Sequence, residues 1–141
     1  MRQKKLVPIA FVLLMLLGFS VTLYAPTIAA DKPQSAGKID EQRLTGRWVR
    51  PDGGYILELK DIKKDGNLGA AYFNPRTVKV FKAEWNRKKG IINVFVELRD
   101  VNYPGSRYNL QYDLKTDMLK GTYFQAVHGE TYEVEFVRAE Q

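Results

Sequence analysis

The chain has 141 residues, enough for one domain, with 22 Lys and Arg against 16 Asp and Glu, a formal charge of +6 and no cysteine. The lack of cysteine excludes disulfides, thiol catalysis, cysteine metal sites and a lipid-modified cysteine. Arg2, Lys4 and Lys5 lie in the first 30 residues, so beyond them 19 basic residues face 16 acidic ones. That balance of +3 gives no case for nucleic acid or for an anionic membrane surface as partner.

The N-terminus reads as a secretory signal peptide over residues 1–30. A positive n-region is followed by the apolar run Leu6 to Tyr24 and by small residues at Ala25, Ala29 and Ala30. Cleavage is expected after Ala29 or Ala30, placing the mature chain in a periplasmic or extracellular compartment. An uncleaved anchor is the competing reading, because a bilayer-spanning helix needs about 20 apolar residues. In that case the membrane is met only through this segment. Residues 31–43 carry Lys, Pro, Gln, Ser and Gly without apolar periodicity and read as a flexible leader. Ile39 to Leu44 can close one helical turn before a β-barrel domain expected over 44–141.

No long segment from Leu44 onward has a 3.6-residue period, and β-branched and aromatic residues dominate the apolar set. Eight strands are predicted: about Arg47–Arg50, Tyr55–Ile62, Leu68–Phe73, Val78–Trp85, Ile91–Arg99, Arg107–Leu114, Leu119–Ala126 and Thr131–Arg138. The links are short enough for hairpins, and Asp52-Gly53 and Asp65-Gly66 suit tight turns. The expected fold is all-β, an eight-stranded antiparallel up-and-down meander closed into a barrel, since closure removes exposed strand edges.

Alternation assigns the faces. The inward set is Tyr55, Leu57 and Leu59; Ile92, Val94, Val96 and Leu98; Tyr108, Leu110, Tyr112 and Leu114; Leu119, Gly121, Tyr123 and Gln125; and Tyr132, Val134, Phe136 and Arg138. The fourth strand changes phase from Val78 and Val80 to Phe81, Ala83 and Trp85, which predicts a bulge near Val80-Phe81. Five inward tyrosines either fill the barrel or line a pocket, and each buried hydroxyl needs a partner.

Turns of a meander alternate between the two ends of a barrel. One set is plain and lysine-rich: Lys63 to Asn67, Asn86 to Gly90, and Lys115-Thr116-Asp117. The other gathers Asn, Tyr, Arg, Pro and the lone histidine: Arg50 to Gly54, Asn74 to Thr77, Asp100 to Ser106, and Ala126 to Gly129. The second set marks the expected working end. The loop Asp100 to Ser106 is the longest link and has the best claim, because Val101 and Tyr103 are apolar for a solvated tip.

Catalytic chemistry finds little support. Ser106, His128 and Asp100 or Asp52 could share one end of the barrel, but their spacing resembles no nucleophile elbow. No zinc or calcium ligand spacing, phosphate loop or pair of inward carboxylates is present, so neither metal nor cofactor is expected.

Leu44-Thr45-Gly46-Arg47-Trp48 at the start and Phe136-Val137-Arg138 at the end resemble the calycin pattern shared by lipocalins, avidins and related small barrels. The resemblance implies that Gly46 and Trp48 open the first strand, that Arg138 packs over the indole, and that this end is closed with the mouth opposite. The chain is shorter than true lipocalins, and the biotin-contact pattern of avidins is absent. Segments Trp48 to Tyr55 and Glu97 to Gly105 are also similar to uncharacterised bacterial exported proteins.

The function expected from this reading is non-enzymatic binding of a small amphipathic or aromatic molecule at the mouth. Candidate contacts are Tyr108, Tyr123 and Gln125 inside, with Asn74, Arg76, Asp100, Asn102, Tyr103, Arg107 and His128 at or near the rim. The alternative is a protein-binding module, such as an inhibitor of an extracytoplasmic hydrolase, that inserts the loop 100–106 into its partner. An outward cluster of Phe73 and Phe124 would mark such a surface.

Overall fold

The computed structural model describes residues 40–140, and the expected signal peptide and most of the leader lie outside the described residues. A 3-10 turn, η1 (Glu41–Leu44), leads into nine strands. They are β1 (Gly46–Val49), β2 (Ile56–Lys60), β3 (Gly69–Asn74), β4 (Arg76–Val78), β5 (Val80–Lys88), β6 (Ile91–Asp100), β7 (Tyr103–Asp113), β8 (Met118–Gln125) and β9 (Glu130–Arg138). Every pairing is antiparallel and the sheet order is β4-β3-β2-β1-β9-β8-β7-β6-β5. The pairing of β1 with β9 joins the two ends of the meander, as a barrel requires.

The count of nine arises because the predicted fourth strand is divided. β4 pairs with β3, β5 pairs with β6, and only Lys79 separates them. The sheet thus ends on two strands that are one bent stretch of chain, which makes the barrel nearly closed. The slip expected at Val80-Phe81 is present: Val80 faces Leu98 while Lys82 faces Glu97, leaving Phe81 bulged. A bulge turns two successive side chains to the same side. Phe81 therefore points outward, 53% exposed, instead of joining the inward set, whereas Ala83 and Trp85 remain on the core side.

The seam is pinned at both ends. Near the bend, the Lys79 N–H donates to Asp100 Oδ2 at 2.9 Å and the Arg99 N–H donates to the Lys79 carbonyl at 3.0 Å. At the other end Asn67 bridges Glu84, the Trp85 N–H donates to the Gly66 carbonyl at 2.7 Å, and its indole N–H reaches the Lys63 carbonyl at 2.8 Å.

The inward aliphatic set fills the core as alternation predicts: Leu57, Leu59, Ile92, Val94, Val96, Leu98, Leu110, Leu119, Val134 and Phe136 are buried. Leu114 is a correction. It lies one residue past the end of β7, where the pleat no longer aims its side chain, and it is exposed. Tyr132 is also exposed, because its inward parity meets an open end of the barrel.

That barrel has one plugged end. The Trp48 indole N–H donates to the Leu44 carbonyl at 2.9 Å, and the Arg138 guanidinium lies over the indole at 4.2 Å. Arg138 also donates to the carbonyls of Thr45 and Arg43 and, from Nε and one terminal nitrogen, to both Asp117 oxygens at 2.7 and 2.9 Å. Gly46 has a physical reason to be glycine: its φ is +135°, and an added Cβ would lie 3.0 Å from the Arg138 guanidinium. Gln42 and Glu41 complete the plug through the Ile62 carbonyl and Arg87.

Asp117 titrates far below its ordinary value, at about 2, because its hydrogen bonds with Arg138 favour the carboxylate. A lowered folded-state pKa contributes stability that is complete above about pH 4, where the unfolded carboxyl is ionised, and is lost as pH falls through the folded value. Thermal melts between pH 6 and pH 2 are therefore expected to show Asp117→Asn destabilised at pH 6 and converging on wild type near pH 2. A constant gap across that range contradicts this assignment.

Candidate functional site

The opposite end of the barrel holds a cavity of about 440 Å³ lined by Arg50, Tyr55, Tyr72, Asn74, Asn102, Tyr103, Tyr123, Gln125 and Tyr132. Its walls come from strand ends and turns of the set that the sequence marks as rich. Arg50 follows β1, Tyr55 precedes β2, and Tyr72 and Asn74 close β3. Asn102 and Tyr103 come from the β6–β7 hairpin, Tyr123 and Gln125 from the end of β8, and Tyr132 from the start of β9.

Five tyrosines converge because inward parity delivers one ring from each of several neighbouring strands. Tyr108 and Tyr123, directly opposite on β7 and β8, stack with centroids 4.6 Å apart. Tyr55 and Tyr72 lie parallel at 6.5 Å, and Tyr103 meets Tyr72 edge-on at 6.2 Å. Beneath them the Tyr108 hydroxyl shares a 2.8 Å hydrogen bond with the Tyr72 hydroxyl. Burial raises both phenols, Tyr108 to about 12, and raises Tyr123 as well, so all three are neutral near pH 7.

Arg50 is the central polar group, 8% exposed. Its Nε and one terminal nitrogen grip Asp52 Oδ1 and Oδ2 at 3.0 and 2.5 Å, and the other terminal nitrogen donates to the Tyr108 hydroxyl at 3.2 Å. Its guanidinium carbon lies over the Tyr55 ring, 4.6 Å from the centroid, and over the Tyr123 ring at 5.8 Å. Burial works against the charge, but the hydrogen bonds to Asp52 and Tyr108 outweigh it and hold the pKa above the ordinary arginine value. The pocket therefore keeps a protonated arginine at its floor, ion-paired to Asp52.

The rim is narrowed by one cross-mouth contact: Asn74 on β3 donates to the Tyr103 hydroxyl at 2.6 Å, although β3 and β7 are not adjacent in the sheet. Tyr103 reaches that far because the expected loop 100–106 is largely strand. β6 runs to Asp100 and β7 starts at Tyr103, leaving Val101 and Asn102 as the turn. The extra residue is absorbed at Gly105, skipped between the pairs Leu98–Ser106 and Arg99–Pro104, with φ of +95°. Only glycine adopts that angle without strain.

Of the residues expected at the site, Asn74, Asn102, Tyr103, Tyr123 and Gln125 line the cavity and Tyr108 underlies it. Four others are placed elsewhere. Arg76 is exposed on the β3–β4 hairpin. Asp100 is turned towards the seam, accepting from the Lys79 and Val101 N–H groups. Arg107 neighbours the inward Tyr108, so the pleat sends it outward over Phe124 at 4.4 Å. His128 sits exposed in the β8–β9 turn, and Ser106 is buried with its hydroxyl accepting the Ala126 N–H.

The outward phenylalanines do not cluster. Phe73 and Phe124 stand on β3 and β8, with β2, β1 and β9 between them. Phe73, Phe81, Phe95 and Phe124 each lie under a cation, respectively Arg47, Arg99, Lys82 and Arg107, at 3.7 to 5.7 Å.

No protein-family model, no curated protein and no solved structure matches this chain. The calycin likeness therefore stands on the nearly closed barrel and on the stack of Arg138 over Trp48.

Proposed function

We propose that the protein is an exported, non-enzymatic binding protein that holds a small amphipathic or aromatic molecule at the barrel mouth. The observation that carries this reading is the tyrosine-walled cavity with a buried, braced arginine at its floor. A pocket of about 300–1,000 Å³ with aromatic walls and a few convergent polar groups is what small-ligand binding uses. Tyr55, Tyr103 and Tyr123 offer ring surface backed by the buried Tyr72, and Asn102 and Gln125 offer amides at the rim. Export is supported by the N-terminal sequence alone.

Ligand-observed NMR on the full chain, with a library of small aromatic and aliphatic compounds, tests this. Aromatic members are expected to bind, to compete with one another, and to lose binding in Tyr103→Ala and Tyr123→Ala. Binding of none of the library, or binding indifferent to both substitutions, contradicts the reading.

A second reading, insertion of the mouth into a protein partner such as an extracytoplasmic hydrolase, is favoured by one observation. Val101 and Val127, at the tips of two mouth hairpins, are 92% and 53% exposed. The side wall offers less to a partner, since each of its phenylalanines has a cation over the ring and the four do not form one patch.

A further inference from the structure

We infer that the ligand of the mouth pocket is a monocarboxylate on an aromatic body, its two carboxylate oxygens received by the guanidinium of Arg50. This rests on the binding reading above and adds the ligand's charge and class. Three of the five N–H groups of Arg50 have acceptors: two go to Asp52 and one to Tyr108. One N–H on each terminal nitrogen remains without an acceptor among the described residues. Two N–H groups of one planar fork match the two oxygens of a carboxylate.

The charge distribution favours an anion there. Arg50 is the only charged residue among the nine that line the cavity. Asp52 braces it from the outside, where it borders a separate surface groove with Pro51, Lys120 and Glu133. The ligand therefore meets Arg50 inside a cavity whose lining does not include the carboxylate that holds it. With no second cation in the lining, a single negative charge is the match, and a phosphate dianion is not.

Arg50 is also held in place for this task. The rings of Tyr55 and Tyr123 lie against it, Asp52 holds one edge, and Tyr108 fixes a terminal nitrogen. Little side-chain freedom is left to lose on binding, which favours affinity. The surrounding tyrosines supply contact for a flat apolar body.

The test is isothermal titration of the full chain with naphthoate and with naphthamide, its uncharged counterpart. Naphthoate is expected to bind at least about tenfold more tightly, a difference of about 1.4 kcal/mol. Arg50→Met, checked for folding by circular dichroism, is expected to bring the two probes to equal affinity. Asp52→Asn, which keeps an acceptor oxygen on that edge of Arg50 but removes the negative charge that offsets it, is expected to widen the ratio. Equal affinities in the wild type, or a ratio that narrows in Asp52→Asn, overturn the carboxylate assignment and leave the pocket reading standing. Failure of both probes to bind overturns the pocket reading with it.

Discussion

Replacing Trp48 by alanine is expected to destabilise the barrel by about 3–5 kcal/mol, the range for removing a buried Trp or Phe from a packed core. Trp48 is fully buried and joins η1, Tyr112 and Arg138 at the plugged end. Its indole N–H anchors η1 through the Leu44 carbonyl, its ring meets Tyr112 edge-on at 6.0 Å, and its face carries Arg138. Without the ring, Arg138 and Asp117 lose the surface that orients them, and Tyr112, whose hydroxyl donates to Asp117 at 2.7 Å, loses its neighbour. Domains of this kind have about 5–15 kcal/mol in hand, so a large share of the stability goes with one side chain. Urea unfolding followed by circular dichroism checks this. A loss below about 1 kcal/mol would mean that the indole is not the keystone of that end.

Gly121→Ala is expected to cost about 3 kcal/mol, although it adds a single methyl group in a strand. An added Cβ would lie 2.0 Å from the Asn109 carbonyl oxygen on β7, and a backbone atom cannot swing aside as a flexible side chain does. The strands must separate locally, which places the cost at the top of the usual overpacking range of about 1–3 kcal/mol. Because Gly121 lies two residues from Tyr123 on β8, the Tyr108–Tyr123 stack shifts with it. The variant is therefore expected to weaken both stability and ligand binding. A melting temperature equal to the wild type contradicts the close approach of β7 and β8.

Much of this architecture is legible in the sequence because strand periodicity is simple. The alternation in Ile92 to Leu98 and in Tyr108 to Tyr112 separates inward from outward residues, and the slip at Val80-Phe81 shows in the pattern itself. What alternation does not give is the side on which the bulged residue ends, so Phe81 reads inward but lies out. It also does not give the length of a hairpin whose glycine hides a bulge, which is why 100–106 reads as a loop.

The site was partly visible for the same reason. Turn composition points to the mouth, and parity selects Tyr108, Tyr123 and Gln125. Arg50 escapes notice because it precedes Pro51-Asp52-Gly53-Gly54 and reads as turn. Counting by twos from Gly46 and Trp48 would have placed it inside. Tyr72 escapes because Gly69-Ala70-Ala71-Tyr72-Phe73 has no polar residue to mark its outer face. Asp117 reads as a solvated residue in a plain turn, and only the tertiary structure brings it to Arg138 on β9.

Native mass spectrometry of the exported protein, purified without detergent from the cells that make it, shows whether the pocket is filled as it leaves the cell. The wild type is expected as a species heavier than the apo protein by the mass of one small aromatic monoacid, released on denaturation and missing from Arg50→Met. An unliganded mass for the wild type, or an adduct retained at the same level by Arg50→Met, contradicts it.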